Sequence, residues 1–275
     1  MRAAAHSANA VFAANRAVGR IALTVKADGG VTRRSRVREE GPLRVRCPGQ
    51  PSGELEAVIV NTAGGVAGGD RFGLDVSVAP QARLLVTSAA AEKIYRALDS
   101  DAVISIGLKV DAGAALAWLP QETILFDGAR LARTIRIDLD RDARLIACEA
   151  IIFGRSGMRE TVRHGRLIDR WRVYREGRIL HAEATRFEDD IAATLAAAAV
   201  ANKGAAIATV LIVPDDPWLL MSVRALRFAG EVAASAWKGL LAIRLCAADG
   251  VTLRHDLVAV LNVVRRGALP RLWLN

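Results

Sequence analysis

Residues 61–70 read NTAGGVAGGD, four glycines in ten positions closed by an aspartate, and they are the densest candidate for phosphate chemistry in the chain. A glycine loop holds phosphate when its backbone N–H groups converge on the anion, and the solutions that do so carry a fixed spacing, G-x-x-x-x-G-K-[ST] or G-x-G-x-x-G. Gly64, Gly65, Gly68 and Gly69 fit neither pattern, no lysine follows them, and Asp70 stands where an anion would be repelled. The flanks at 56–60 (EAVIV) and 72–78 (FGLDVSV) read as strands, and paired glycines supply the positive φ of a tight corner. The loop is therefore expected to turn the chain between two strands. The remaining reactive residues are sparse. His6, His164, His181 and His255 lack H-E-x-x-H or i, i+4 metal spacing. Residues 154–158 (GRSGM) resemble a nucleophile elbow, but G-x-S-x-G needs its second glycine two places after the serine and here it follows at once. Glu122, Glu149 and Glu160 are the carboxylates with acid–base potential, and salt bridging to the many arginines is their default role. Cys47, Cys148 and Cys246 stand about a hundred residues apart, which indicates neither a disulfide framework nor C-x-x-C metal chemistry and points to a reducing cytoplasm.

The elements that must position these residues are mostly strands. Leu74, Val76 and Val78 alternate into Ala82 and Leu84; Ile106, Leu108 and Val110 into Ala114 and Leu116; Ile135, Ile137 and Leu139 into Ala143 and Leu145. Three times a strand meets a turn and a second strand, and the alanines recur after 32 and 29 residues. A near-constant period of this kind predicts stacked β-layers, each burying its apolar side on the next, with a plain antiparallel meander as the simpler alternative. Residues 20–25 alternate likewise, and 169–174 with 178–182 flank Arg175-Glu176-Gly177 as a hairpin would. Helices are expected at 89–98, at 189–201 and at 217–229, the last with proline in its first turn. The predicted architecture is mainly β, a stacked β-layer or β-helix-like body with two or three helices.

Charge and hydropathy narrow the classes further. The 275 residues carry a net charge of +9, and the pI is near 10.3, which suits nucleic acid or an acidic protein partner equally. The arginines are scattered and aromatics make up only 5%, so a dedicated nucleic-acid reader, which concentrates its charge and interleaves aromatics, is disfavoured. Polar residues interrupt the first 27 positions, so no signal peptide is expected. The alanine-rich stretch 191–213, broken by Asn202-Lys203-Gly204, is too weakly apolar for a membrane span. On residues alone, a basic nucleic-acid-binding protein and a Gly-loop hydrolase stay open beside a non-enzymatic scaffold.

Several motifs in combination carry a resemblance: Glu40-Gly-Pro-Leu-Arg-Val45, Gly64-Gly-Val-Ala-Gly-Gly-Asp70, Lys93-Ile-Tyr-Arg96, Trp118-Leu-Pro-Gln-Glu-Thr-Ile124, Glu149-Ala-Ile-Ile-Phe-Gly-Arg155 with Gly157 and Glu160, and the terminal Pro270-Arg-Leu-Trp273. From about Gly19 to the end the chain resembles the urease accessory protein family UreD, also called UreH. It departs from the family pattern at Thr62-Ala63, where a Pro-Pro pair is usual, and at Val86-Thr87, where Thr-Thr is usual. The resemblance implies a UreD-like accessory domain over 19–275 behind a poorly ordered extension over 1–18. It implies a scaffold without an enzymatic activity that binds apo-urease, the helical partner UreF and the GTPase UreG, and supports nickel delivery. No cofactor of its own is then expected, GTP enters only through a partner, nickel is at most transient, and neither nucleic acid nor membrane is a partner. A nickel conduit must hold the ion weakly, and carboxylate, carbonyl and water ligands exchange readily. Asp70, Glu122, Glu149 and Glu160 are therefore the transit candidates and Arg155 their ion-pair partner. Gly64, Gly65, Gly68, Gly69, Trp118, Pro120 and Gln121 are expected to be structural or partner-binding.

Overall fold

The computed structural model describes residues 16–49, 52–158, 160–265 and 267–274. Two sheets face each other. The first contains β1 (Val18–Asp28), β2 (Val31–Glu40), β5 (Arg71–Val78), β8 (Ala102–Val110), β11 (Arg130–Leu139), β13 (His164–Arg175) and β14 (Arg178–Asp190), in the order β14-β13-β11-β8-β5-β1-β2. The second contains β3 (Leu43–Arg46), β4 (Leu55–Asn61), β6 (Arg83–Ser88), β9 (Ala115–Trp118), β12 (Arg144–Phe153), β15 (Ala206–Val213), β16 (Glu231–Trp237) and β17 (Leu240–Ala247), with the short β7 (Glu92–Ile94) and β10 (Thr123–Leu125) branching from it.

The chain alternates between the sheets, so that β5–β6, β8–β9 and β11–β12 form three stacked coils of a β-solenoid. Their registers reproduce the sequence period: Leu74 pairs with Ile106 and Ile106 with Ile135, while Leu84 pairs with Leu116 and Leu116 with Leu145. Ala82, Ala114 and Ala143 are fully buried at the same corner of each coil, each donating its N–H three residues back to Ala79, Asp111 and Asp140. A methyl is the side chain this corner accommodates while the two sheets converge. The pairing is parallel between coils, which excludes the antiparallel meander. One continuous apolar core fills the space between the sheets.

The last third closes the body. The β13–β14 hairpin lies where the sequence placed it, and β15, β17 and β16 extend the second sheet antiparallel. Among the described residues there are three α-helices: α1 (Ile191–Ala196), α2 (Pro217–Ala225) and α3 (Gly250–Val264). A second core lies on the outer face of the second sheet, where α3 presents Leu253, Leu257, Val260, Leu261 and Val264. Among the described residues no helix is long and apolar enough to cross a membrane.

Four local expectations need correction. The helix expected at 89–98 is instead β7, because Glu92–Ile94 pairs in parallel with β10 and buries Ile94 completely; tertiary pairing overrides the helix preference of the alanines. The helix expected at 189–201 is confined to α1, since Asp190 ends β14 and caps the helix, and Ala197 is already extended. The helix from Pro217 stops at Ala225 rather than 229. Helix α3 was not expected at all, although Asp249 caps it and its apolar residues repeat at helical spacing. Of the expected extension 1–18, residues 1–15 lie outside the described residues, and Arg16–Val18 belong to the fold: Ala17 N donates to Asp70 Oδ1 at 2.8 Å and β1 begins at Val18.

Candidate functional site

Alternation along β11 places Leu131, Arg133, Ile135, Ile137 and Leu139 on the inward face, so a guanidinium enters an otherwise aliphatic row. On β13 the inward row is Leu167, Asp169, Trp171 and Val173, and on β12 Glu149 interrupts Leu145, Ala147, Ile151 and Phe153 in the same way. These three charges meet. Arg133 Nε and Nη2 bond Asp169 at 3.0 and 2.7 Å, and Nη1 bonds Glu149 Oε2 from the opposite sheet and Thr123 Oγ1 at 3.3 Å. Trp118 Nε1 closes the second oxygen of Glu149 at 2.8 Å, and Trp171 Nε1 reaches Asp169 at 3.3 Å. The side chains of Arg133, Glu149 and Asp169 are only 4, 4 and 5% exposed. Burial pushes the Glu149 carboxyl above its ordinary range, opposed by Arg133. Burial works against the Arg133 charge too, but attraction to Asp169 and then Glu149 outweighs it and holds the guanidinium firmly protonated. With all three ionised the group carries one uncompensated negative charge.

The polar row continues both ways along the solenoid axis. Parallel register puts Thr123 beside Glu92, whose carboxylate accepts from Asn61 Nδ2 at 3.1 and 3.2 Å. Burial lifts Glu92 to about 7, with the neutral Asn61 amide the chief opposing influence. In the other direction a cavity of about 20 Å³, lined by Glu149, Asp169, Glu183, Thr185 and Thr209 among others, has room for about one water. Glu183 beyond it is held by Arg244 Nη2 at 3.0 Å and by His181 Nε2 at 3.2 Å. Burial disfavours its charge, yet His181 and Arg244 prevail and hold it at about 2. Arg244 is half exposed, so the row reaches the surface there.

Of the four transit candidates, Glu149 lies in this row. Asp70 accepts N–H bonds from Ala17 and Ala67, both 2.8 Å, and so ties the first strand to the glycine turn. Glu122 and Gln121 receive Arg254 Nη1 from α3 at 2.7 and 2.9 Å, and Gln121 Nε2 donates to Leu272 O at 3.1 Å. Glu160 is chelated by Arg155 at 2.7 and 3.1 Å, which lowers its carboxyl, and Arg155 stacks 4.1 Å from the centroid of Phe126. Trp118 is buried beside Glu149, and Pro120 sits half-buried next to Gln121. In the glycine loop the N–H groups of Gly64, Val66 and Gly69 donate to the carbonyls of Asn61, Lys93 and Asp101, and that of Ala67 to Asp70. Amides so engaged do not form a phosphate cradle. A Cβ at Gly65 would lie 2.4 Å from Tyr95, so the loop serves close approach.

Arg133, Asp169, Glu92 and Glu183 were missed by the sequence reading. The signal was present, because extending the Ile135, Ile137, Leu139 alternation back by two reaches Arg133, a charge at an inward position. Nucleophile chemistry finds no support: Ser156–Met158 is a 3-10 turn rather than a strand-to-helix elbow, and burial raises the Cys148 thiol well above its ordinary value. Among the described residues no three His, Cys, Asp or Glu side chains converge as a metal cage. The row thus brings the carboxylates of Glu92, Glu149, Asp169 and Glu183 together along the inter-sheet space, each held by a neighbouring donor.

The family model of the UreD urease accessory protein matches residues 17–274. A urease accessory protein UreD of Rhodopseudomonas palustris strain BisB18 is 53% identical over 271 residues, covering 98% of both chains. Another, from Bradyrhizobium diazoefficiens strain USDA 110, is 52% identical over 278 residues and covers 100% of both.

Proposed function

The chain belongs to the UreD family of urease accessory proteins, a non-enzymatic family with a role in urease maturation, and from that premise we propose that it is a cytoplasmic scaffold that binds apo-urease together with UreF and UreG and carries nickel toward the urease active site along its inter-sheet polar row. The observation that carries the reading is the row itself. Burying charges costs several kcal/mol per ion, and replacing a buried ion pair by apolar residues is often neutral or stabilising, so stability alone is a poor reason to keep this one. An oxygen-lined row of this kind suits a hard-to-hold divalent ion that must be released again. GTP enters this scheme only through UreG, and nickel is cargo rather than a resident cofactor.

Partner docking has support at the helical end. Trp218 and Met221, three positions apart on α2 and so on one helix face, are 62 and 64% exposed, and Val251 at the start of α3 and Leu274 near the C-terminus are exposed too; exposed apolar side chains on one helix face suit a protein contact. We assign this end to the helical partner UreF. The test is co-expression of a urease gene cluster with and without this chain. Urease recovered with full protein yield but without nickel in the absence of the chain supports the reading; equal nickel content in both preparations refutes it.

A further inference from the structure

The polar row is crossed at its middle by a side chain that excludes cations. Arg133 spans the gap from β11 to β12, chelating Asp169 on its own sheet and bonding Glu149 and Thr123 on the other. Its guanidinium is thus the counter-ion of both carboxylates and occupies the oxygens that a divalent ion at this place would need. With Arg133 in place the three groups sum to one negative charge. With Arg133 withdrawn, Glu149 and Asp169 sum to two, the charge that one divalent ion neutralises. We propose that Arg133 is a plug: the guanidinium and a divalent cation are alternative occupants of the space between Glu149 and Asp169, and passage requires Arg133 to swing aside. The inference rests on the reading of the polar row as a nickel path. A guanidinium does not release its proton in a protein, so the plug opens by displacement and not by titration. The neighbouring cavity has room for about one water, so the swing requires the two sheets to part locally, and Glu183, Thr185 and Thr209 on that side supply acceptors. Because only two carboxylates meet there, the ion that takes its place is held weakly and moves on.

The experiment measures nickel retention by the purified full-length chain in equilibrium dialysis against nickel chloride, with circular dichroism and thermal melting as controls of fold. Arg133→Met keeps the volume and removes the charge; it is expected to retain one more nickel equivalent than the native chain, with affinity raised about tenfold or more. The added binding is lost again in Arg133→Met/Glu149→Gln. A folded Arg133→Met chain that retains no more nickel than the native one overturns the plug. Should Arg133→Met fail to fold, Arg133→Lys decides, since its ammonium engages one carboxylate where the guanidinium engages two: intermediate retention supports the plug and native retention overturns it. Co-expression with the urease cluster separates the two claims. If the native chain loads urease while the variants gain no nickel, the plug alone fails; if the variants gain nickel while the native chain leaves urease unloaded, the maturation reading fails.

Discussion

At Glu149 the two roles open to a buried carboxylate make different demands. Its two oxygens accept from Trp118 and Arg133, and glutamine offers one oxygen and an amide that faces the other donor. Glu149→Gln is expected to cost about 1–3 kcal/mol for that mismatch, while leaving Arg133 balanced by Asp169. Soluble protein and partner complex should therefore survive, and nickel in co-expressed urease should fall. Asp169→Ala strips Arg133 of its chelating partner and is expected to cost about 3–5 kcal/mol, so protein yield and activity should fall together. Chemical denaturation alongside nickel analysis distinguishes the two patterns; loss of complex in Glu149→Gln in proportion to activity would assign Glu149 to structure. Glu92 gives a pH test. Its folded-state value is raised from 4.5 to about 7 by burial, so the folded chain binds the extra proton and stability is lost as pH rises from about 4.5 to 7, then stays level. Glu92→Gln, which keeps the acceptor for Asn61 and drops the charge, is expected to be more stable than the native chain at pH 8 by up to about 3 kcal/mol and nearly equal to it at pH 4. Urea midpoints of both proteins across that range check it, and a constant difference would show that Glu92 does not titrate there. Sequence alone named Glu149 and Trp118 but passed over Arg133 and Asp169, because opposition across two sheets depends on how the strands stack, whereas inward charge was visible in the alternation of β11 and β13.

Among elements, the solenoid coils were the most legible because their period is a direct physical consequence of stacking: in parallel register, a residue and its equivalent one coil later become neighbours. The offsets of 32 and 29 residues read from the alanines are the offsets of the ladders themselves, Leu84 to Leu116 and Leu116 to Leu145. Helices were less legible. Residues 89–98 are rich in alanine, and nothing local shows that a waiting strand, β10, will capture Glu92–Ile94. Helix α3 had an Asp249 cap and apolar residues at 253, 257, 260, 261 and 264, a signal that the strand-dominated alternation of the rest of the chain obscured. The glycine corner supplies the test at this scale, because its members differ in what constrains them. Gly64 needs a positive φ of 76° but faces open space, whereas at Gly65 a Cβ would lie 2.4 Å from the Tyr95 ring and 2.9 Å from Lys93 O. Gly64→Ala is expected to cost about 1–2 kcal/mol, the left-handed penalty for an L-residue. Gly65→Ala should cost about 1–3 kcal/mol from overpacking and also loosen Tyr95, whose hydroxyl bonds Gly64 O at 2.8 Å. Thermal melting ranks the two, and Tyr95 mobility, read by fluorescence or hydrogen exchange in β7, should change in Gly65→Ala alone.

For the whole molecule, a large positive charge and exposed apolar surface pull in opposite directions. The net charge of +9 makes copies repel one another, while Trp218, Met221, Val251 and Leu274 offer apolar surface; at the end of the second sheet, β16 begins with Glu231 and has its Ala234 carbonyl held by Arg224 at 2.7 Å. Charges on a sheet edge hinder its pairing by another chain, which leaves the apolar side chains as the contact. The isolated protein is therefore expected to associate with itself, and the sign of the salt effect identifies the cause. Repulsion between like-charged copies weakens as the Debye length shrinks from about 30 Å at 0.01 M to about 8 Å at 0.15 M, so apolar association should increase with added salt. Association through complementary charges would decrease instead. Light scattering at matched protein concentration across that range measures the trend, and Trp218→Ser/Met221→Ser should restore a monomer at moderate salt while abolishing capture of UreF. A double variant that associates as readily as the native chain would place the self-contact on another surface. A variant that is monomeric and still captures UreF would separate self-association from partner docking and place UreF on another face.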